Sequence, residues 1–105
     1  VKGERESLAL RRPSFAYRAA RSGKSELFCE AVALESLAAR HGTPLYVYSA
    51  AMIRARLDAF ARAFRPIPHT LCYSVKANST LAILRLVAGE GVGFDVVSGG
   101  ELQRV

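Results

Sequence analysis

From residue 44 onward, short apolar runs alternate with longer stretches in which apolar side chains recur at helical spacing. Residues 45–48 (LYVY) follow Thr43-Pro44 and are apolar or aromatic throughout, the pattern of a strand buried on both faces. Ser49 stands where a helix N-cap belongs. Ile53, Leu57, Phe60, Ala61 and Phe64 then fall on one stripe, with Arg54, Asp58, Arg62 and Arg65 mostly off it. They predict an amphipathic helix ended by Pro66 and Pro68. Residues 70–75 (TLCYSV) predict a second buried strand. Asn78-Ser79 offers caps for a helix over 80–88 that is apolar nearly all round and so predicts neighbours on both sides. Gly89 and Gly91 close it, and residues 93–97 (GFDVV) predict a third strand. Ser98-Gly99-Gly100 turns into a further helix that has barely begun at Val105.

Ahead of this region the pattern is weaker. Residues 26–32 (ELFCEAV) predict one short strand, and 34–40 (LESLAAR) a helix stopped by His41-Gly42. Residues 1–25 lack periodicity and contain Pro13, Gly23 and several serines, so they read as an irregular leader before a folded portion, 26–105. The order strand, helix, strand, helix, strand from residue 44 predicts α/β structure, βα units around a parallel sheet. A closed (β/α)8 barrel takes about 200 residues or more. The expectation is therefore a partial (β/α)8 TIM barrel, about its first three βα units, preceded by an irregular N-terminal segment.

Composition narrows the class. The chain has 105 residues, half of them hydrophobic and 23% charged, which excludes a disordered chain. No apolar run approaches the ~18 residues of a membrane span, and the first 25 residues hold no apolar core of a secretory signal. Cys29 and Cys72 are far apart and have no histidine at ligand spacing. That argues against a disulfide scaffold or a zinc site, predicts no metal, and fits reduced thiols in the cytoplasm. The net charge of +6 is uneven: residues 1–25 carry seven bases against two acids, the rest eight against seven. A basic arm can meet nucleic acid or an acidic surface. No nucleic-acid motif accompanies it, so a solvated leader is the reading and nucleic acid is not expected as a partner.

Two residues stand out as candidate chemistry, Lys76 at the end of the second predicted strand and Asp95 within the third. Functional groups of βα barrels gather at the carboxyl ends of strands. Side chains alternate along a strand, so Cys72, Ser74 and Lys76 would share one face and Tyr73 and Val75 the other. Lys76 is also the one lysine after residue 25. The plain alternatives are a strand-end amine reaching for solvent, a satisfied polar group at Asp95, and a favourable first-turn charge at Glu101. His69 precedes the strand, at the end opposite Lys76, and carries no expected role.

Residues 73–78 (YSVKAN) resemble the lysine segment of the fold-type III pyridoxal-phosphate decarboxylases, the ornithine/diaminopimelate/arginine decarboxylase family. Residues 42–48 (GTPLYVY) and 93–102 (GFDVVSGGEL) resemble its flanking motifs in order and spacing, and over 26–105 the match is best with the diaminopimelate branch. The resemblance implies a barrel-plus-β-domain enzyme, a homodimer acting on a small amino acid, in which Lys76 carries pyridoxal 5′-phosphate. The implied reaction converts meso-2,6-diaminopimelate to L-lysine and CO2. It also implies that Asp95 lies near the lysine, that Glu101 joins the cofactor-binding network, and that Ser74 and Asn78 pack and cap.

Gly99-Gly100 resembles a phosphate nest. The family holds the phosphate on a later glycine-rich loop, so a tight turn is expected here. That loop, the acid facing the pyridine nitrogen, the substrate-carboxylate clamps and the cysteine segment reaching the partner's active site have no counterpart in these 105 residues. The isolated chain is therefore expected to have little or no decarboxylase activity. The family's N-terminal β-domain strand corresponds to residues 25–32, and the basic leader has no counterpart. An ornithine- or arginine-type decarboxylase and a non-catalytic protein of the same fold stay open as alternatives.

Overall fold

A computed structural model of the protein describes residues 14–105. They divide into two compact units at Ala55/Arg56. In the N-terminal unit, β1 (Phe15–Ala19), β2 (Ser25–Cys29) and β3 (Val32–Ala33) form an antiparallel sheet in the order β1-β2-β3. The first hairpin runs in register from Phe15 opposite Cys29 to Ala19 opposite Ser25. Its loop closes through Ala20 N–H donating to the Lys24 carbonyl at 2.9 Å, and Gly23 supplies the left-handed φ of 77°. The Arg18 guanidinium lies 5.5 Å from the centre of the Phe28 ring, a cation–π contact across the two strands. The second hairpin turns through Glu30 and Ala31, with Glu30 at φ 55°. Helix α1 (Leu34–His41) follows at once and ends at Gly42, which donates its N–H to the Ala38 carbonyl at 2.8 Å and turns the chain out of the helix at a φ of 80°.

Three expectations for this unit change. Residues 15–19 of the expected irregular leader are β1, and its pairing with β2 crosses the expected boundary at residue 25. The strand has no alternation to announce it, since four of its five residues are exposed. Residues 1–13 of that leader lie outside the described residues. The single strand expected over 26–32 is two strands folded back at Glu30, a residue that seldom takes positive φ. Residues 45–48 join no ladder among the described residues. Burial there still alternates, with Leu45 and Val47 half-buried and Tyr46 and Tyr48 exposed, but a strand also needs a neighbour to exchange hydrogen bonds with.

Helix α2 (Ala50–Ala63) begins under the predicted cap: Met52 N–H donates to Ser49 Oγ at 3.0 Å. Its apolar stripe is present but thinly covered. No residue of α2 is buried, and Phe60 and Phe64 stack on each other, rings 6.5 Å apart, while both remain exposed. On the polar side Asp58 and Arg62 pair at 2.7 Å, one helical turn apart.

The C-terminal unit holds a complete βαβ unit. Strand β4 (Cys72–Ser74) leads through a 3-10 turn (Val75–Ala77) and helix α3 (Leu81–Gly89) to β5 (Gly93–Asp95), which pairs with β4 in parallel. Helix α4 (Gly99–Arg104) follows. Ile83, Leu84 and Val87 of α3, with Val75 of the turn, are the buried hydrophobic side chains of this unit. The expectation of a helix covered on both sides is met on one, because Leu81, Ala82, Arg85 and Ala88 stay exposed. The chain is thus mixed α/β, with both predicted strands of this unit shorter than their apolar runs. No helix among the described residues is long and apolar enough to cross a membrane.

Candidate cofactor site

The register of the parallel pair decides which side chains meet. Tyr73 lies opposite Phe94, and their rings pack edge to face at 6.5 Å and 86°. On the other face Cys72 lies opposite Gly93, and Ser74 opposite Asp95. A Cβ at Gly93 would stand 3.2 Å from Cys72 Sγ, so this face admits little more than glycine there. At its carboxyl end the Ser74 hydroxyl donates to Asp95 Oδ2 at 3.0 Å. Asp95 ends β5 and is exposed.

Lys76 does not continue the face of β4 as expected. The strand stops at Ser74 and the chain tightens into the 3-10 turn, whose first residue, Val75, is fully buried. Burying Val75 anchors the turn and leaves Lys76 exposed just past the carboxyl end of β4. The far side of the turn is fastened as well. Tyr73 donates its hydroxyl to the Asn78 carbonyl at 2.9 Å, and Asn78 Oδ1 accepts from Thr80 N–H at 3.0 Å ahead of α3. Asn78 does not cap α3 as expected: the N-cap is Thr80, whose side chain makes no capping bond, and Asn78 shapes the turn before it.

Glu101 has local work. Ser98 caps α4 by accepting from Glu101 N–H at 3.1 Å, and Glu101 Oε2 accepts from Val97 N–H at 2.7 Å. This is a reciprocal exchange of the capping-box kind, shifted by one residue. Gly99 and Gly100 are helical, the first two residues of α4 beneath that cap, where a tight turn was expected. Among the described residues no ion pair joins Lys76 to Asp95 or Glu101.

The residues present fit an aldehyde cofactor. Lys76 offers an exposed primary amine, and Asp95 offers a carboxylate at the end of the adjacent strand, with the small side chain of Ser74 opposite it. Sequence reasoning missed Ser74 as the partner of Asp95. Its hydroxyl was visible, but the pairing across 21 residues depends on a register that one strand alone does not reveal. A cavity of about 390 Å³, bordered by Asp58, His69 and Glu90, lies where Leu71 and Val92 enter the strands, at the end opposite Lys76. His69 sits there against Phe64, away from the candidate chemistry. No group of three or more metal-ligating side chains converges among the described residues, and both cysteines are free thiols.

Residues 50–105 match the pyridoxal-binding domain of the pyridoxal-dependent decarboxylases, and the chain belongs to that family. Within the family, the chain is 56% identical over 80 residues to a diaminopimelate decarboxylase of Pseudomonas fluorescens, covering 76% of this chain and 19% of that protein. A crystal structure from Aquifex aeolicus superimposes with a TM-score of 0.78 at 42% identity, over 92% of this chain and 23% of the other. The diaminopimelate decarboxylase of M. jannaschii, solved in complex with L-lysine, does so with a TM-score of 0.73 at 35% identity, over 85% and 21%. The chain spans about a fifth of the length of these relatives.

Proposed function

We propose that the protein to which this chain belongs is a diaminopimelate decarboxylase, releasing CO2 from meso-2,6-diaminopimelate to give L-lysine, and that Lys76 is its cofactor-bearing residue. The supporting observation is the placement of an exposed Lys76 just past the carboxyl end of β4 and of Asp95 at the end of the adjacent β5, in a segment that is 56% identical to such an enzyme. In this reading β4 and β5 are neighbouring strands of a (β/α)8 barrel, and the active protein is a cytoplasmic homodimer.

Pyridoxal 5′-phosphate, when bound, supplies an aldehyde to hold and an electron sink for the charge left on the α-carbon as CO2 departs. The protein's own groups do the rest. The Lys76 amine binds the cofactor and, once released, moves protons at the α-carbon. The Asp95 carboxylate holds and orients positive charge beside the amine. Glu101 contributes to the same network indirectly, by keeping the 97–101 turn after β5 in shape through Val97 N–H.

Borohydride reduction of the full-length protein with its cofactor, followed by peptide mapping, is expected to place the label on Lys76, and Lys76→Ala to abolish both label and turnover. A label on another lysine would refute the assignment. Substrate choice is tested by offering the full-length protein diaminopimelate, ornithine and arginine; a preference for either of the latter overturns the named reaction. Purified 1–105 is expected to show no turnover, and sustained CO2 release by it would contradict this reading.

A further inference from the structure

The geometry points to Ser74 as the residue that positions Asp95, a role resting on the reading of Lys76 and Asp95 given above. Two independent contacts bring the pair together. The Tyr73–Phe94 edge-to-face packing holds the strands in register on one face. On the other, that register sets Ser74 directly opposite Asp95, where the hydroxyl donates to Oδ2 at 3.0 Å.

A carboxylate only accepts hydrogen bonds, so the serine must be the donor. The bond occupies one oxygen and fixes the rotation of the carboxyl group, leaving Oδ1 for a second, cationic partner. Asp95 is the last residue of β5 and exposed, so without this bond its side chain would sample several rotamers. Ser74 lies two residues before Lys76 and is separated from it by the buried anchor Val75. One short segment thus presents the amine and, through Ser74, aims the acid on the neighbouring strand. A group that must meet developing charge works best when its orientation is set in advance.

The test uses the full-length protein as wild type, Ser74→Ala, Ser74→Thr, Asp95→Asn and the Ser74→Ala/Asp95→Asn double variant. Cofactor dissociation constants by equilibrium dialysis and the circular dichroism of the bound cofactor are read beside kcat and KM. Ser74→Ala is expected to weaken cofactor binding about three- to tenfold and to alter the cofactor's dichroism. Ser74→Thr keeps the hydroxyl and is expected to stay within about twofold of wild type. In the Asp95→Asn background, Ser74→Ala is expected to add little, because its effect passes through Asp95. An undiminished effect in that background, or a Ser74→Ala protein with wild-type affinity and dichroism, overturns the assignment. Borohydride mapping of the same preparations separates the two levels. A label away from Lys76 overturns the functional reading together with this role, whereas a label on Lys76 without coupling overturns the role of Ser74 alone.

Discussion

Glu30 shows how one side chain can offset an unfavourable backbone. At φ 55° it occupies the left-handed region, which costs a non-glycine residue of order 1 kcal/mol. Its carboxylate accepts from Ala51 N–H at 2.9 Å and Ser49 Oγ at 2.8 Å, capping the start of α2 from outside the helix. The Ala51 bond, then the Ser49 bond, and lastly the charge of Arg54 hold the Glu30 carboxyl below its ordinary pKa. A group depressed in the folded state contributes stability above its unfolded pKa and loses that contribution as pH falls through the folded value. Glu30→Ala is therefore expected to lower the melting temperature at neutral pH, with the difference from wild type vanishing well below pH ~4.3. Glu30→Gly also loses the cap but relieves the φ, so it should be the milder change, and thermal unfolding across pH separates them. Ser49→Ala removes both the Met52 acceptor and a donor to Glu30, and is expected to cost about 1 kcal/mol in denaturant unfolding. Cys29, beside Glu30, is buried; burial and then the Glu30 charge push its thiol above the ordinary value, which keeps it unreactive.

At the scale of elements, a close contact sets the tolerance at the amino ends of β4 and β5. Gly93→Ala places a Cβ 3.2 Å from Cys72 Sγ, so the sulfur must shift. Alone the change is expected to be neutral or slightly destabilising. In a Cys72→Ala background the space opens, and the same change should stabilise by about 0.5 kcal/mol through the reduced freedom of the unfolded chain. A double-mutant cycle of unfolding free energies reads the sign. Elements with a local signal were legible in the sequence. The Ser49 cap, the Gly42 stop and the α2 stripe follow from neighbours in the chain. Elements whose evidence is a distant partner were not. β1 shows no alternation because neither face is buried, and the 3-10 turn under Lys76 goes with the full burial of Val75, which the YSVKAN run does not reveal. At the site, Lys76 and Asp95 stood out by their strand positions and took their expected roles from the family motifs, while Ser74 needed the register.

Among the described residues, little apolar surface is covered. Cys29, Val75, Ile83, Leu84 and Val87 are the buried hydrophobic residues among those described, while Tyr46, Phe60, Ile67, Val97 and Leu102 are each more than half exposed. Patches of that kind drive association. Purified 1–105 is expected to self-associate with rising concentration in sedimentation velocity, and a strictly monomeric chain at high concentration would contradict this. A core so small makes each member count: Val87→Ala, at a site with no exposure, is expected to cost about 2 kcal/mol.

The turn that presents Lys76 has a consequence for how this chain could be handled or inherited. It is held by Val75, by the Tyr73 hydroxyl and by Asn78, and the lysine itself bears none of the load. Position 76 is therefore a socket whose occupant can be exchanged without disturbing its mounting. On the proposed reading, a gene that lost this lysine by drift is expected to make a protein that still folds but no longer turns over substrate. The same independence suits the position to an unnatural amine or a fluorescent label, which would report from the carboxyl end of β4.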